Sequence, residues 1–124
     1  DFDGKNLVVY FYPKDMTSGC TIEGIDFTKL LPEFRKIGAE VVGISVDSPE
    51  SHKTFCAANN LGVTLLTDTG GALGKKLGIL RESGLHERTT FILDEKGIIL
   101  KIYESVTAGG HAGKVLEYCK SLHL

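Results

Sequence analysis

Hydrophobic and polar positions alternate in blocks along the chain, and these blocks predict alternating strands and helices. Nearly continuous apolar runs at 7–12 and 39–47 have the pattern of strands that are buried on both faces of a sheet. Residues 18–37 carry apolar side chains at helical spacing, which predicts a long helix that ends at Gly38. Because Pro32 falls inside this pattern, we expect a kink there or two consecutive helices.

The second half of the chain continues the alternation. Its predicted elements are, in order, a helix over 48–60, a short strand within 61–67, a helix after the turn at 68–71, strands over 89–94 and 98–103, and a helix over 109–122. The order β-α-β-α-β-α-β-β-α predicts one domain over residues 1–124. We expect an α/β three-layer sandwich of the thioredoxin-like type, with a mixed, mostly parallel sheet flanked by helices.

Composition narrows the class of protein. The chain has 124 residues, of which 42% are hydrophobic and 24% charged, as in an ordinary globular domain. Its net charge of −2 gives no basic footprint for nucleic acid. No apolar run approaches the roughly 20 residues that span a bilayer. We therefore expect neither a nucleic acid nor a membrane as a partner. Three cysteines, an odd number, argue against a secreted disulfide scaffold and favour a reducing, cytoplasmic compartment.

The stretch from Tyr12 to Thr21 is the strongest candidate site. It lies between the first strand and the first helix, so Cys20 falls in the first helical turn, where free N–H groups and the helix dipole favour a thiolate. The flanking residues are small and polar, Pro13 can fix the loop, and Thr17 places a hydroxyl three residues from the cysteine. We therefore interpret Cys20 as a reactive cysteine and not as a packing residue.

These residues also carry a resemblance to a known family. Pro13-x-x-x-Thr17-x-x-Cys20 matches the active-site pattern of peroxiredoxins, and the surrounding run from Tyr10 to Glu23 resembles the peroxiredoxin Q branch, also called the bacterioferritin comigratory protein family. The segment from Glu87 to Asp94 resembles the later strand of that family, which bears an arginine. The resemblance extends over nearly the whole chain.

The resemblance implies a thiol peroxidase that reduces hydrogen peroxide and organic hydroperoxides through a Cys20 sulfenic acid. Arg88 would stabilise the thiolate and the leaving oxygen, Thr17 and the N–H of Gly19 would orient the peroxide, and Pro13 would shield and shape the loop. A thioredoxin-type thiol reductant is the expected partner, the expected state is a monomer, and neither cofactor nor metal is implied. A redox sensor or interaction protein without enzymatic activity is the alternative from another class.

The chain departs from the family pattern at the resolving cysteine. In much of this branch a second cysteine lies five positions after the first, where this chain has Ile25. Other members carry their resolving cysteine in the helix after the second strand, which here contains Cys56, so we expect a Cys20–Cys56 disulfide. Cys119 in the last helix is read as structural. A one-cysteine mechanism, in which an external thiol attacks the sulfenic acid, stays open.

Other features receive simpler interpretations. Histidines and cysteines show no zinc-site spacing, and the glycine-rich run from Gly70 to Lys75 lacks the spacing of a phosphate loop. We assign Glu23 a supporting role, paired with a nearby cation. His86, beside Arg88, could tune the site, but we favour its interpretation as an ordinary loop histidine. Family members usually begin some two dozen residues earlier with a hairpin, so we expect that the family's N-terminal hairpin is missing from this chain.

Overall fold

The chain forms its strands and helices in the predicted order. The computed structural model describes residues 6–14, 18–79, 86, 88–94, 96, 98–103 and 111–121. Its elements are β1 Asn6–Phe11, α1 Ser18–Lys36, β2 Ala39–Ser45, α2 Pro49–Asn59, β3 Thr64–Thr67, a 3-10 turn Thr69–Gly71, α3 Ala72–Leu77, β4 Thr89–Leu93, β5 Ile99–Tyr103 and α4 His111–Ser121. The predicted alternation is confirmed over these residues. Thr17, the hairpin positions 95 and 97, and both ends predicted for the last helix lie outside the described residues.

The five strands form one mixed sheet in the order β3-β2-β1-β4-β5. β1 pairs with β2, and β2 with β3, in parallel, whereas β4 is antiparallel to both β1 and β5. β4 therefore runs opposite to the other strands, and the antiparallel pairing predicted for 89–94 and 98–103 is confirmed. β1 occupies the centre of the sheet, so the loop that follows it lies between neighbouring strands on both sides.

Helix α1 continues across Pro32 as one element, so the alternative of two consecutive helices is wrong. A proline inside a helix costs about 3 kcal/mol. The same helix buries Phe27, Leu31 and Phe34 against the sheet, and each such side chain contributes about 1.5–3 kcal/mol. Packing therefore outweighs the lost hydrogen bond. Gly38, with a φ of 74°, ends the turn after α1 as expected.

The central strands of the sheet, β1, β2 and β4, are buried on both faces, whereas the edge strand β5 is largely exposed. The larger cluster lies between the sheet and the helices α1, α2 and α4, and includes Val8, Tyr10, Phe27, Phe34, Phe55, Ile92 and Val115. The second cluster lies on the opposite face and consists of Val9, Phe11, Val42, Ile44, Ile79 and Phe91. This arrangement is the expected three-layer sandwich. Among the described residues, no helix is both long and apolar enough to cross a membrane.

Candidate active site

Cys20 lies in the first turn of α1, after the loop that follows β1. The N–H of Tyr12 donates to the carbonyl of Ile44 at 3.0 Å, so pairing with β2 continues past the end of β1 and fixes the start of this loop. The Cys20 side chain is only 1% exposed. N–H groups of a first helical turn have no acceptor inside the helix, and they give the sulfur a positive electrostatic environment.

The pairing of β4 with β1 brings Arg88 to Cys20. Phe11, the last residue of β1, is opposite Thr89, the first residue of β4, so the residue before β4 lies beside the loop that leads to α1. The Arg88 Nη2 donates to the Cys20 Sγ at 3.4 Å. The structure therefore brings together two of the residues that the sequence singled out, although 68 positions separate them.

Glu23 completes a three-residue cluster at this point. It lies one helical turn after Cys20, it is fully buried, and its Oε1 accepts from Arg88 Nη1 at 2.8 Å. The expected pairing of Glu23 with a cation is confirmed. Burial raises the pKa of Glu23 to about 7, although the charge and hydrogen bond of Arg88 act in the opposite direction. Its second oxygen, Oε2, has no hydrogen-bond partner among the described residues, which is consistent with a carboxyl group that is only partly ionised at neutral pH.

Arg88 acts as a fixed cation between a sulfur and a carboxyl group. Partial burial alone would lower the pKa of Arg88, but the neighbouring Cys20 and Glu23 outweigh it and raise the pKa above the ordinary value. A guanidinium group is charged at any physiological pH and presents several donors in a fixed plane. The arrangement can therefore stabilise negative charge on the Cys20 sulfur and on an oxygen atom bound next to it.

The other residues that the sequence predicts for the site are Pro13, Thr17 and Gly19, all in the segment between β1 and Cys20. Pro13 is half-buried in the loop between β1 and α1. Gly19 directly precedes Cys20 inside α1, so its N–H belongs to the first turn. Thr17 lies outside the described residues, and the contact expected between its hydroxyl and the sulfur stays a prediction.

A second network links the active-site loop to α2 and was not predicted from the sequence. The hydroxyl of Tyr12 lies 3.3 Å from Nδ1 of His52, and Nε2 of His52 lies 3.0 Å from the carbonyl oxygen of Leu66. A carbonyl oxygen only accepts, so Nε2 donates to Leu66. His52 and Tyr12 are both buried, and Phe55 packs beside Tyr12. The residue before Pro13 is thereby tied to α2 and to β3.

The two other cysteines differ in their surroundings. Cys56 is partly exposed on α2 and lines a cleft of about 400 Å³ together with His52, Lys53, Leu65 and Leu66. Cys119 is buried in α4, and this burial raises the pKa of its thiol to about 11. None of the three cysteines forms a disulfide in this structure. Cys119 therefore has the properties of a packing residue, whereas Cys56 is open to solvent.

His86 lies in the connection between α3 and β4, as expected, but it is not an exposed loop residue. Its side chain is fully buried, and Nε2 lies 2.8 Å from Oδ2 of Asp68. The same carboxylate accepts from the N–H groups of Leu73 and Gly74, both at 2.8 Å. These bonds cap the start of α3, so two N–H groups of its first turn already have an acceptor. Within the described residues, no group of three His, Cys, Asp or Glu side chains could hold a metal ion.

Comparison with known proteins places this geometry in a family. The sequence profile of the AhpC/TSA family matches residues 1–102. The chain belongs to this family. It is 42% identical to "Peroxiredoxin Bcp" of Xanthomonas campestris over 125 residues, which cover 95% of this chain and 78% of that protein. It is 44% identical to "Putative peroxiredoxin bcp" of Helicobacter pylori, over 91% of this chain and 79% of that protein.

Solved structures agree with the sequence comparison. A cysteine-to-serine mutant of Xylella fastidiosa PrxQ superposes with a TM-score of 0.95 at 36% identity, covering 100% of this chain and 81% of that one. The bacterioferritin comigratory protein of Xanthomonas campestris superposes with a TM-score of 0.93 at 38% identity, covering 99% and 83%. The resemblance to the peroxiredoxin Q branch is therefore confirmed. Peroxiredoxins are thiol peroxidases, and the chain is an enzyme of this class.

Proposed function

We propose that the enzyme reduces hydrogen peroxide and organic hydroperoxides with Cys20 as the nucleophile. One observation carries the assignment: Arg88 donates to the Cys20 Sγ at 3.4 Å and to Glu23 at 2.8 Å. A cation fixed beside a helix N-terminus is the environment that a reactive thiolate requires. A sensor that is oxidised without turnover has no need of a charge placed where a leaving oxygen forms, so the geometry favours the enzyme.

The proposed reaction begins with attack of the Cys20 thiolate on one peroxide oxygen. A sulfur–oxygen bond forms as the O–O bond breaks, and the other oxygen leaves with the electron pair and takes a proton to become water or an alcohol. The sulfur is oxidised by two electrons to a sulfenic acid. Arg88 stabilises the departing oxygen, the Thr17 hydroxyl and the Gly19 N–H orient the peroxide, and Pro13 shapes the loop.

The range of substrates is supported by a relative. The structural report on the Xanthomonas campestris bacterioferritin comigratory protein names an alkyl peroxide reduction activity for that protein. At 38% identity and nearly complete coverage of this chain, the same substrate class is a reasonable inference here. We therefore include organic hydroperoxides together with hydrogen peroxide among the substrates.

We further propose that Cys56 resolves the sulfenic acid. Its thiolate attacks the Cys20 sulfur, a disulfide forms, and the sulfenic oxygen leaves as water. Two solved structures of Xanthomonas campestris peroxiredoxin Q carry cysteine-to-serine substitutions at positions 48 and 84 of that protein, the same spacing as Cys20 and Cys56. The solvent-open position of Cys56 supports this role, and the raised pKa of Cys119 argues against that residue.

Formation of this disulfide requires movement. Cys20 and Cys56 lie on different helices, and Cys20 is buried. A disulfide needs Cα atoms within about 7 Å of each other. We propose that the first turn of α1 unwinds during each cycle and that a thioredoxin-type dithiol then reduces the disulfide. We place this monomeric cycle in the reducing cytoplasm, where such a disulfide is transient.

Peptide mass mapping after one equivalent of peroxide tests the resolving step. We expect a peptide pair joined through Cys20 and Cys56, lost in Cys56→Ser and retained in the matched variant Cys119→Ser. A Cys20–Cys119 link or an intermolecular dimer would overturn the assignment of Cys56. Full turnover of Cys56→Ser with a small external thiol, with no disulfide in the unmodified chain, would establish the one-cysteine mechanism instead.

A further inference from the structure

A buried hydrogen-bonded pair outside the reaction centre is not used by the proposed chemistry. Asp68 and His86 meet at 2.8 Å, with the Asp68 side chain 4% and the His86 side chain 0% exposed. They lie 18 positions apart, one after β3 and one before β4. We call these two residues the Asp68–His86 anchor. A buried polar pair often contributes little net stability, so stability alone does not explain why this pair lies here.

Asp68 is held rigidly from two sides. Its two carboxylate oxygens accept from the N–H groups of Leu73 and Gly74 at the start of α3, each at 2.8 Å. Its own N–H donates to the carbonyl of Ser45 at the end of β2, also at 2.8 Å. These hydrogen bonds and His86 lower the pKa of Asp68 even though burial alone would raise it. Asp68 is therefore an ionised acceptor, and Nε2 of His86 donates to it.

The ring of His86 is also fixed by shape. It meets Phe11 edge-on, with ring centroids 5.0 Å apart. On the other side it packs against Gly74, where an added Cβ would lie 2.5 Å from Cδ2 of the imidazole. Contacts this close restrict the imidazole ring of His86 to a single orientation. Phe11 is the last residue of β1, so the anchor is attached to the strand that leads to the Cys20 loop.

Arg88 lies between two points that are fixed to Phe11. Thr89 is paired with Phe11 in the sheet, and His86 packs on the Phe11 ring. Two residues of chain span at most about 7 Å, so the backbone of Arg88 is tethered close to His86 and a shift of His86 can displace it. A displacement of about 1 Å at a reacting group can reduce a rate about 100-fold.

We propose that the Asp68–His86 anchor is a positioning device that holds Arg88 at the Cys20 sulfur. The pair acts through Arg88 and does not touch the reacting atoms. This inference rests on the proposed function of Arg88 and extends it to two residues that lie outside the family motif. A purely structural pair would stabilise the fold without any particular dependence on Arg88.

A double-mutant cycle separates these two roles. The variants are His86→Leu, Arg88→Ala and the double variant, each assayed for Cys20 oxidation by hydrogen peroxide and for Cys20 alkylation by iodoacetamide across pH. We expect His86→Leu to slow peroxide oxidation at least about 10-fold in the unmodified chain and to have almost no further effect once Arg88 is removed. An equal factor in both backgrounds, or no loss in His86→Leu, would overturn the proposal.

Three further variants keep the test decisive. His86→Gln retains a donor for Asp68 and should recover most of the rate. Gly74→Ala pushes the imidazole ring and should reproduce the Arg88-dependent loss if His86→Leu does not fold; a normal rate in Gly74→Ala would then contradict the proposal. Val115→Ala, buried in α4 away from the anchor, controls for general destabilisation and should keep the rate.

The two readouts also distinguish this proposal from the proposed function. Alkylation by iodoacetamide requires a Cys20 thiolate but no peroxide. If the unmodified chain failed to react with peroxide, the proposed function would be wrong, while the alkylation cycle would still report whether the anchor acts through Arg88. An alkylation rate that depends on His86 only in the presence of Arg88 supports positioning, and an alkylation rate indifferent to His86 contradicts it.

Discussion

Glu23 and Asp68 are both buried carboxyl groups that accept a hydrogen bond from a nitrogen-bearing side chain, yet their surroundings shift their pKa values in opposite directions. Glu23 has one partner, Arg88, and a second oxygen without a hydrogen bond among the described residues, and burial raises its pKa to about 7. Asp68 receives two backbone N–H groups and the imidazole of His86, and these lower its pKa. For Glu23 the effect of burial outweighs its single partner, whereas for Asp68 the hydrogen bonds outweigh burial, so the balance of the two decides the direction of each pKa shift.

We propose that the difference corresponds to two tasks. A fully ionised Glu23 would neutralise Arg88, whereas a carboxyl group with a pKa of about 7 leaves part of the guanidinium charge available to the Cys20 sulfur. Asp68 lies away from the reacting atoms, and its full ionisation fixes His86 and the start of α3. Glu23 would then adjust how much of the Arg88 charge acts on the Cys20 sulfur, and Asp68 would hold His86 and the start of α3 in place.

Removal of Arg88 should produce the largest effect among the substitutions that keep Cys20. In Arg88→Ala the sulfur and the leaving oxygen lose their fixed cation, and we expect the rate of peroxide reduction to fall about 100-fold to 1,000-fold. Arg88→Lys keeps a charge but not the planar pair of donors, so its rate should lie between those of Arg88→Ala and the unmodified chain. Stopped-flow measurement of Cys20 oxidation checks both. Equal rates in Arg88→Ala and the unmodified chain would show that Arg88 is not part of the reaction.

The raised pKa of Glu23 should appear as a pH-dependent stability. Between pH 4.5 and about 7 the folded chain holds this proton more tightly than the unfolded chain does. The associated stability is full below 4.5 and is lost as the pH rises through about 7, a fall on the order of 3 kcal/mol.

Glu23→Gln provides the control for this pH effect. Its amide oxygen still accepts from Arg88, but it does not titrate, so its free energy of unfolding should vary less over the same range. Urea denaturation at several pH values from about 4.5 to about 8 measures both chains. Parallel curves for the two chains would mean that Glu23 titrates near its ordinary value and that the contrast with Asp68 does not exist.

Asp68 should show the opposite pH dependence with a smaller magnitude. Because its folded pKa is lowered, its contribution to stability is present above the ordinary value of 3.8 and is lost as the pH falls through the folded value. Asp68→Asn has a single acceptor oxygen for three donors, so we expect a loss of about 2 kcal/mol at neutral pH. Denaturation curves should also show a weaker fall in acid than the unmodified chain, and an unchanged acid limb would contradict the assignment.

The fold could be predicted from the sequence where local patterns decide it. Apolar runs located the strands, and Ser48 followed by Pro49 located the start of α2, where the Ser48 hydroxyl accepts from Ser51 N–H as a helix cap does. Pro32 illustrates the limit of such patterns. The local rule predicts a break or a kink, but the burial of three large side chains on α1 keeps one helix, and that burial depends on the sheet.

The candidate site was predictable only in part. Cys20 and Arg88 stood out through a motif, and Glu23 was expected to pair with a cation. The pKa of Glu23 was not predictable, because it depends on how completely the fold buries the carboxyl group. The burial of His86 and its bond to Asp68 were not predictable, because this partner lies 18 positions away and carries no pattern of its own. The strongest sequence signal for a role of His86 was its position only two residues before Arg88.

The rate at which the chain consumes peroxide in the presence of a thiol reductant tests most directly whether it is a peroxidase with Cys20 as the nucleophile. If Cys20 is the nucleophile, we expect rapid, repeated turnover in the unmodified chain and in Cys119→Ser, and no turnover above background in Cys20→Ser. Turnover in Cys20→Ser at the rate of the unmodified chain, or slow stoichiometric oxidation of the unmodified chain without turnover, would contradict it.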